Sequence, residues 1–261
     1  MASAPPSPVP VPFGVVVLPS YNSGVKLLET VVAAARAWRP VWVVIDGSTD
    51  GSERAVQDLA LSETGFGIIH RSTNEGKGAA VLEALRRARD EGISRALVMD
   101  ADGQHPAEAI AEFFRLAREN PDALILGQPV FGAEAPALRV HGRRFGNFFT
   151  RLNTGWADVA DSLFGFRVYP VAETVAIMES IRTARRYDFD TEIVVRLCWA
   201  GFRPINVPVA VRYFSSAEGG SSYFRYVRDN ALLIRTHTRL LFGLLARLPR
   251  LISRRRKAVV A

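Results

Sequence analysis

Two aspartates separated by one residue follow a short apolar segment in the middle of the chain. Residues 96–99 predict a buried strand, and Asp100 and Asp102 come where that strand would run into a loop. Alternate residues of an extended segment face the same way, so both carboxylates can bind one ion, with the Gln104 amide oxygen as a third ligand. Hard oxygen ligands suit Mg2+ or Mn2+, which proteins commonly hold together with substrate phosphates. The spacing predicts a divalent-metal site for a diphosphate; a solvated acidic turn that caps the next helix is the alternative.

These aspartates belong to a regular alternation of predicted strands and helices. Strands are predicted at 15–18, 41–45, 67–70, 96–99 and 123–127, and helices at 26–38, 53–61, 79–91 and 106–118. The alternation predicts an α/β fold with a mostly parallel central sheet that is flanked by helices. In such sheets, ligands bind at the carboxyl ends of the strands, where this chain has polar or glycine-rich turns.

The second half of the chain gives a weaker pattern. Residues 129–161 read as irregular and basic, strands are predicted at 165–169 and 204–213, and helices at 171–181 and 190–200. The single cysteine, Cys198, cannot form an internal disulfide, which favours a reducing, cytoplasmic compartment. No apolar run reaches the roughly 18 residues that a membrane-spanning helix needs.

The positive charge of the chain is concentrated near its C-terminus. Residues 221–261 contain ten Arg or Lys and one Asp, whereas the first 220 residues contain 23 basic and 25 acidic side chains. Apolar and aromatic residues alternate with these arginines, a pattern typical of a helix that lies on an anionic membrane surface. The apolar residues argue against nucleic acid as the partner; a helix packed on the body is the remaining alternative. We therefore expect a disordered lead-in over 1–12, a catalytic domain over 13–220 and a basic amphipathic tail over 221–261, in a protein bound peripherally to the inner face of the membrane.

Six short motifs occur in an order that resembles family 2 glycosyltransferases. They are Leu-Pro-Ser-Tyr-Asn at 18–22, Asp-Gly-Ser-Thr-Asp-Gly-Ser at 46–52, Asn-Glu-Gly-Lys-Gly at 74–78, Asp-Ala-Asp-Gly-Gln-His-Pro at 100–106, Gly-Phe-Arg-Val-Tyr at 165–169 and Asp-Thr-Glu at 190–192. The resemblance is strongest to the polyprenyl (dolichyl) phosphate mannosyl- or glucosyltransferase branch. The chain departs from the family pattern at Ser23, Ile45 and Tyr223, where Glu, a further acidic residue and Lys are usual.

The resemblance implies a GT-A-type fold and an inverting, Mg2+- or Mn2+-dependent transfer. A hexose would pass from a nucleotide-diphospho-sugar, GDP-mannose or UDP-glucose, to a polyprenyl phosphate lipid. The donor-binding residues that it implies are Pro19, Tyr21, Asp46, Lys77, Asp100, Ala101, Asp102, Asp190, Glu192 and Arg212. By residue type alone, Pro19 and Tyr21 could instead form a structural turn, Lys77 could be solvated, and Asp190 could cap a helix. Gly76 and Gly78 would let the backbone approach the nucleotide.

The acceptor side of the predicted site is basic. The resemblance places the acceptor phosphate at Arg139, Arg143, Arg144 and Asn147, and arginine forks fit phosphate oxygens; a solvated basic helix is the alternative. Asp161 joins Asp100 and Asp102 as a candidate catalytic residue, either touching the sugar or acting as a base, with Arg167 as its expected partner. His105 is expected to be structural.

Two other functions stay open from the sequence. One keeps the donor but transfers the sugar to a hydroxyl of a lipid or polyene, which would need a general base, whereas an acceptor phosphate is already ionised. The other is a non-catalytic protein that binds nucleotide sugars or a membrane surface. A dinucleotide-dependent oxidoreductase is disfavoured, because no Gly-x-Gly-x-x-Gly follows the first predicted strand.

Overall fold

A seven-stranded sheet forms the centre of the protein in a computed structural model, which describes residues 11–131, 137–211 and 226–260. The strands are β1 (Gly14–Ser20), β2 (Val41–Asp46), β3 (Phe66–Arg71), β4 (Arg95–Val98), β5 (Ala123–Val130), β6 (Arg167–Pro170) and β7 (Arg203–Ala210). Their order across the sheet is β3-β2-β1-β4-β6-β5-β7. β6 runs antiparallel to both of its neighbours, and every other pair is parallel, so the carboxyl ends of β1, β2 and β4 meet at one edge.

Eight helices lie around this sheet in the described residues. They are α1 (Lys26–Ala37), α2 (Glu53–Ser62), α3 (Lys77–Asp90), α4 (Ile110–Glu119), α5 (Ala137–Asn153), α6 (Val171–Glu179), α7 (Asp188–Ala200) and α8 (Tyr226–Val260). A short 3-10 turn, Ala107–Ala109, precedes α4. No helix within the described part of the chain is long and apolar enough to cross a membrane.

Alternate side chains of the strands feed two separate cores. Val15 and Val17 of β1 lie in the core that α3, α6 and α7 close, and Val16 and Leu18 lie in the core that α1 and α4 close. This is the period-two alternation of a strand that is covered on both faces. The sheet is therefore held between two helical layers, which leaves the ends of its strands for binding.

The long helix α8 is attached to the body by its first half. Leu240 and Leu244 form a small core with Val195 and Trp199 of α7, and Asp229 and Thr236 of α8 are also buried. Trp199 Nε1 donates a hydrogen bond of 2.8 Å to the backbone oxygen of Asn153, which connects α7 to α5. The predicted tail is thus not free of the body, because α8 packs partly against α5 and α7.

Several predicted elements need correction. The supposedly irregular segment 129–161 contains the 17-residue helix α5. The last helix of the domain, α7, begins at Asp188 rather than at 190, so Asp190 lies inside its first turn and is not the cap. Asp188 satisfies the loop before the helix instead, because its carboxylate accepts hydrogen bonds from the amides of Ala184 and Arg186.

Candidate active site

The loops after β1 and β2 are joined by hydrogen bonds at the carboxyl edge of the sheet. The Asn22 amide donates to Ser48 Oγ over 3.1 Å, and Asn22 Oδ1 accepts from the Thr49 amide over 2.8 Å. Pro19 is half-buried at the end of β1, and Tyr21 is exposed beside it. The structure therefore presents one aromatic ring on a loop that the neighbouring loop braces, which suits stacking on a base.

Asp46, at the end of β2, is buried and organises the loop before α3. Its carboxylate accepts hydrogen bonds from Arg71 Nε at 2.9 Å, from the Gly76 amide at 2.8 Å and from the Glu75 amide at 3.3 Å. Arg71 was not predicted as part of the site. Through these contacts, Asp46 fixes the start of α3 and therefore the position of Lys77.

Glycines near Lys77 allow protein segments to come together. Gly76 has a φ of +102°, and a Cβ added there would lie 2.6 Å from the backbone oxygen of Arg185. A Cβ on Gly78 would collide with the backbone oxygen of Ala184. These glycines were expected to let the backbone approach a nucleotide. In the structure, the segment before α7 lies close to them instead.

Lys77 bridges two carboxylates from different parts of the fold. Its Nζ lies 2.8 Å from Asp100 Oδ1, after β4, and 3.0 Å from Asp190 Oδ2, in α7. Gly165 completes this contact, since an added Cβ would lie 3.1 Å from Asp100 Oδ2 and would also strike Nζ. Four motifs that are far apart in the sequence, at 74–78, 100–106, 165–169 and 190–192, therefore meet at one ammonium group.

The charges around Lys77 fix its protonation and that of Asp100. Burial alone would lower the pKa of Lys77, but the charges of Asp100 and Asp190 raise it above its usual value. Burial alone would raise the pKa of Asp100, but Lys77 and His105 lower it to about 2. Both groups are therefore ionised at neutral pH.

Asp102 lies in the same turn but in a different electrostatic setting. Burial and the charge of Asp100 raise the pKa of Asp102 to about 6, and its Oδ1 accepts a hydrogen bond of 3.0 Å from the Gln104 amide. A pair of crowded carboxylates of this kind gains from a cation between them. No cluster of three or more His, Cys, Asp or Glu side chains within the described residues could hold a metal by itself. The donor set fits an ion that takes its remaining ligands from a substrate diphosphate.

His105 packs against the turn that carries Asp100 and Asp102. Its Nδ1 accepts a hydrogen bond of 3.0 Å from the Asp100 amide, and its ring meets the edges of Phe164 and Phe166 at centroid distances of 4.6 and 5.5 Å. Burial lowers the pKa of His105 to about 4, so the ring is neutral. With Nδ1 acting as an acceptor, Nε2 carries the proton. This geometry matches the structural role that was expected.

Arg167 contacts Asp190, not Asp161, and the expected Arg167–Asp161 pair was wrong. Arg167 is fully buried, donates to the backbone oxygen of Asp190 and to Tyr169 Oη, and lies 3.7 Å from Asp190 Oδ1. Within the described residues, Asp190 Oδ1 is buried and has no hydrogen-bond donor. Lys77 and Arg167 thus hold Asp190 from two sides, while its Oδ1 accepts no hydrogen bond within the described residues.

Asp161 is bound by α5. Arg143 Nη1 donates to its Oδ2 at 2.9 Å and Asn147 Nδ2 at 3.4 Å, while its Oδ1 accepts from the amides of Leu163 and Phe164 at 2.8 and 2.7 Å. Arg143 also lies near enough to help lower the pKa of His105. The structure therefore brings Arg143 and Asn147 to the metal-motif side of α5, whereas Arg144 is exposed.

Glu192 has partners outside the donor side of the site. It is fully buried and paired with Arg196 Nη2 at 2.8 Å and with Arg239 of α8. Arg239 was not predicted to contribute, because nothing in a sequence pattern links a position in the tail to a helix 47 residues earlier. Glu192 therefore connects α7 to α8 in this structure.

Two predicted residues are not tested by these contacts. Arg139 lies in α5, but its side chain falls outside the described part of the structure, and Arg212 lies outside the described residues altogether.

A cavity of about 390 Å³, lined by Pro121, Asp122, Ala200, Gly201 and Phe202, opens at the amino ends of β5 and β7. It lies at the opposite end of the strands from Asp100 and so belongs to a different surface.

Solved glycosyltransferases share this architecture. A mannosyltransferase from Pyrobaculum calidifontis, in complex with GDP-Man and Mn2+, has a TM-score of 0.56 and 21% identity, covering 79% of this chain and 58% of that chain. Glucosyl-3-phosphoglycerate synthase from Mycobacterium tuberculosis, in complex with Mn2+ and UDP-glucose, has a TM-score of 0.60 and 17% identity, covering 88% of this chain and 78% of that chain. These neighbours confirm the predicted GT-A-type α/β fold.

Curated relatives with higher identity match most of the chain. Undecaprenyl-phosphate mannosyltransferase of Micrococcus luteus is 26% identical over 212 residues, which is 79% of this chain and 85% of that protein. Polyprenol monophosphomannose synthase of Mycolicibacterium smegmatis is 27% identical over 213 residues, 79% of each protein. The resemblance to the polyprenyl phosphate branch is thereby confirmed.

The family match covers the elements that carry the site. The model described as "Glycosyl transferase family 2" matches residues 15–195, well over half of the chain. That range runs from β1 into α7 and includes Asp46, Lys77, Asp100 and Asp190. The chain belongs to glycosyl transferase family 2 and is a glycosyltransferase.

Proposed function

We propose that this glycosyltransferase moves a hexose from a nucleotide-diphospho-sugar, GDP-mannose or UDP-glucose, to a polyprenyl phosphate. The relatives named above, which cover 79% of the chain, support this acceptor. The observation that carries it is the inward placement of Arg143 and Asn147, beside Asp161 and within electrostatic reach of His105. An acceptor phosphate can join Asp161 as a partner of the Arg143 guanidinium, since only Nη1 donates to Asp161 in the described contacts and arginine forks bind both kinds of oxyanion.

The donor is assigned to the carboxyl edge of β1, β2 and β4. Tyr21 would stack on the base, and Asp46 would offer its carboxylate edge to the base or ribose. Ala101, buried in the turn between the two aspartates, keeps that turn packed against the sheet. Asp190 Oδ1, the buried oxygen without a donor in the described residues, is suited to accept a hydrogen bond from a sugar hydroxyl.

A divalent cation is part of this proposal. Asp100 and Asp102, with the Gln104 side chain, would hold Mg2+ or Mn2+, which when bound neutralises charge on the departing diphosphate. Lys77 adds a second positive charge beside Asp100. Solved neighbours of the same fold were crystallised with Mn2+.

The transfer needs one bond formed and one broken at the anomeric carbon. An oxygen of the acceptor phosphate attacks that carbon, and the bonding electrons of the carbon–oxygen bond leave with the nucleoside diphosphate. Attack from the opposite side inverts the configuration. Because the attacking phosphate is already ionised, no proton has to be removed, and Asp161 is assigned to hold Arg143 in place and to contact the sugar.

We also propose a division of labour along the chain. Residues 13–220 would form the catalytic unit, with Arg212 near the donor, and residues 221–261 would attach it peripherally to an anionic membrane surface. The basic composition of 221–261 supports this division.

The proposed function predicts a metal- and lipid-dependent release of nucleoside diphosphate. Purified protein receives Mn2+ or Mg2+, one of the two donors, and polyprenyl phosphate in vesicles, and the released diphosphate is counted. Release should require metal and polyprenyl phosphate and fall at least about 100-fold in Asp102→Asn, since stabilising the departing group is worth several kcal/mol. The matched control is Asp58→Asn, at an exposed carboxylate of α2, which should stay within about twofold.

The acceptor class is decided in the same assay. Turnover with a lipid hydroxyl and none with polyprenyl phosphate would discard the acceptor proposed here but keep the donor chemistry. Donor binding without turnover on any acceptor, unaffected by Asp102→Asn, would indicate a binding protein instead of an enzyme of this activity.

A further inference from the structure

Three large aromatic side chains are exposed along the outer side of α5 and the turn that follows it. Phe145, Phe148 and Trp156 are 68%, 51% and 59% exposed. Phe148 and Trp156 approach each other edge to face, with ring centroids 6.1 Å apart. Large aromatic side chains grouped at the surface mark an interaction site more often than isolated exposed residues do.

This group continues onto α8. Phe149 meets the His237 ring at a centroid distance of 5.8 Å, and Asn153 Nδ2 lies 3.1 Å from His237 Nδ1. Ile234 and Leu241 are the helical neighbours of His237 at i−3 and i+4, and Leu245 follows Leu241 by one turn. We call the exposed residues Phe145, Phe148, Trp156, Ile234 and Leu245, together with half-buried Leu241, the aromatic surface.

The turn that carries Trp156 is well defined. The Gly155 amide donates to the Leu152 oxygen at 3.0 Å and the Trp156 amide to the Arg151 oxygen at 2.7 Å, which ends α5 in a Schellman-like turn. Trp156 itself has a φ of +68°, a left-handed conformation that is costly for a bulky residue. A strained backbone therefore holds the indole outward, where packing within the described chain leaves most of it exposed.

We propose that the aromatic surface inserts into the headgroup region of an anionic lipid bilayer. Exposed Arg144 and Arg151 of α5 and Arg235 of α8 lie around it, with Asp158 3.8 Å from Arg151. Six further Arg or Lys follow between 247 and 257 in the sequence. An apolar centre with a cationic margin matches the interface of an anionic bilayer and disfavours a second, equally basic copy of this chain.

The placement of α5 gives this surface a purpose. Arg143 and Asn147 lie on the inner side of α5, where they contact Asp161, and Phe145 and Phe148 lie on its outer side. One helix would then present the phosphate-binding groups to the site and the aromatic rings to the bilayer that holds the isoprenoid chain. This purpose rests on the proposed function, whereas the binding to lipid does not.

Vesicle flotation tests the surface without any assay of transfer. The full-length protein is mixed with vesicles of phosphatidylglycerol and phosphatidylcholine, and the bound fraction is compared with that of the double variant Phe148→Ser, Trp156→Ser. We expect the partition coefficient to fall roughly tenfold or more, because two aromatic side chains leave the bilayer. The matched control is Leu61→Ser, at an 88%-exposed apolar residue of α2, which should bind like the unmodified protein.

A second variant reports the insertion directly. Trp156 is one of four tryptophans, so Trp156→Phe keeps an aromatic ring but removes this fluorophore. The emission of the unmodified protein should shift to shorter wavelength when vesicles are added, and the shift should be lost in Trp156→Phe while flotation persists. A blue shift that survives in Trp156→Phe would contradict the insertion of this residue.

Two further outcomes distinguish a lipid bilayer from a second copy of the chain, and the lipid-binding proposal from the proposed function. If light scattering shows a dimer that the double variant splits, and flotation is unchanged, the surface binds a second copy and the lipid proposal is overturned. If the double variant floats poorly but neither protein transfers sugar to any acceptor, the surface binds lipid and the proposed function fails alone. With both correct, the double variant loses turnover on vesicle-embedded polyprenyl phosphate but keeps it on a short-chain prenyl phosphate in water.

Discussion

At the scale of single residues, the site depends on one ammonium group shared by two carboxylates. Lys77 is the first residue of α3, where the helix dipole disfavours a cation. The charges of Asp100 and Asp190 outweigh this, since both lie within 3.0 Å of Nζ. Asp46 sets the position of Lys77 through the Gly76 amide, and Arg167 holds Asp190 from the other side. The motifs are thus ordered by ion pairs as well as by packing.

Replacing Lys77 by Met should both destabilise the fold and impair transfer. The change leaves Asp190 buried and Asp100 half-buried without their cation, which costs about 3 kcal/mol, the lower end for a broken buried pair. Thermal unfolding should shift down by roughly 6–12 °C, given about 2–4 °C per kcal/mol for a chain of this size. Lys26→Met, which removes the pair between half-buried Lys26 and exposed Glu29, is the control and should shift the unfolding temperature by less than about 3 °C.

A conservative variant separates stability from chemistry at this position. Lys77→Arg keeps the charge and should recover much of the stability, but the larger guanidinium cannot fit against Gly165, so kcat should stay low. Equal unfolding temperatures for Lys77→Met and Lys26→Met would contradict the role assigned to the bridge.

The residues of the site that belong to motifs could be predicted from the sequence, whereas the pairing of side chains from distant parts of the chain could not. Asp100, Asp102 and Lys77 stand at strand or helix ends that periodicity locates. Arg167 was assigned the wrong carboxylate and Arg71 none, because a charged residue within a strand gives no sign of which carboxylate the fold brings to it. Asp161 pairs with Arg143, which lies 18 residues earlier on α5, and not with Arg167, which is closer in the sequence.

At the scale of elements, α8 is linked to the site through α7. Arg239 pairs with Glu192, and Glu192 lies two residues after Asp190 in the same helix. Trp199 of α7 packs with Leu240 and Leu244, and Arg247 lies over its ring at 4.7 Å. A shift of α8 would therefore be felt in the first turns of α7, where Asp190 contacts Lys77.

Arg239→Met should loosen this connection. Glu192 would keep Arg196 but lose its partner on α8, at a cost of about 1–3 kcal/mol for a buried charge with one bond fewer. Hydrogen exchange should rise in the first half of α8 and at the start of α7, and the KM for the donor should increase. Arg235→Met, on the exposed side of α8, is the control. Unchanged exchange in α7 would show that α8 does not support the donor side.

The elements themselves could be predicted to different degrees. The first four strands and their helices follow a clear alternation and are present. The segment that forms α5 was predicted to be irregular, because Gly142 and Gly146 and its three phenylalanines obscure a helical pattern, and a basic helix was only the alternative for its arginines. The first half of α8 was expected to lie on a membrane, yet Asp229, Thr236 and Leu240 are buried, and sequence alone does not say which partner an apolar stripe finds.

At the scale of the whole molecule, charge and apolar surface are separated in a way that makes two kinds of membrane contact distinguishable. Residues 1–220 carry a small negative balance and 221–261 carry ten of the 33 basic side chains. The aromatic surface lies on α5 and the first half of α8, before most of these charges. Attraction by the basic segment should weaken with salt, whereas insertion of the aromatic surface should not.

Salt should therefore divide the vesicle binding into its two parts. Replacing Arg254, Arg255 and Arg256 by Gln should weaken binding to anionic vesicles at about 0.1 M salt by up to about 100-fold, at about 1 kcal/mol per charge. The loss should nearly vanish at about 1 M salt, where the Debye length is about 3 Å. The Phe148→Ser, Trp156→Ser protein should instead show a similar loss at both salt concentrations, because apolar burial is not screened. If that loss also disappeared at high salt, the aromatic residues would act only after electrostatic capture, and the two contacts would not be independent.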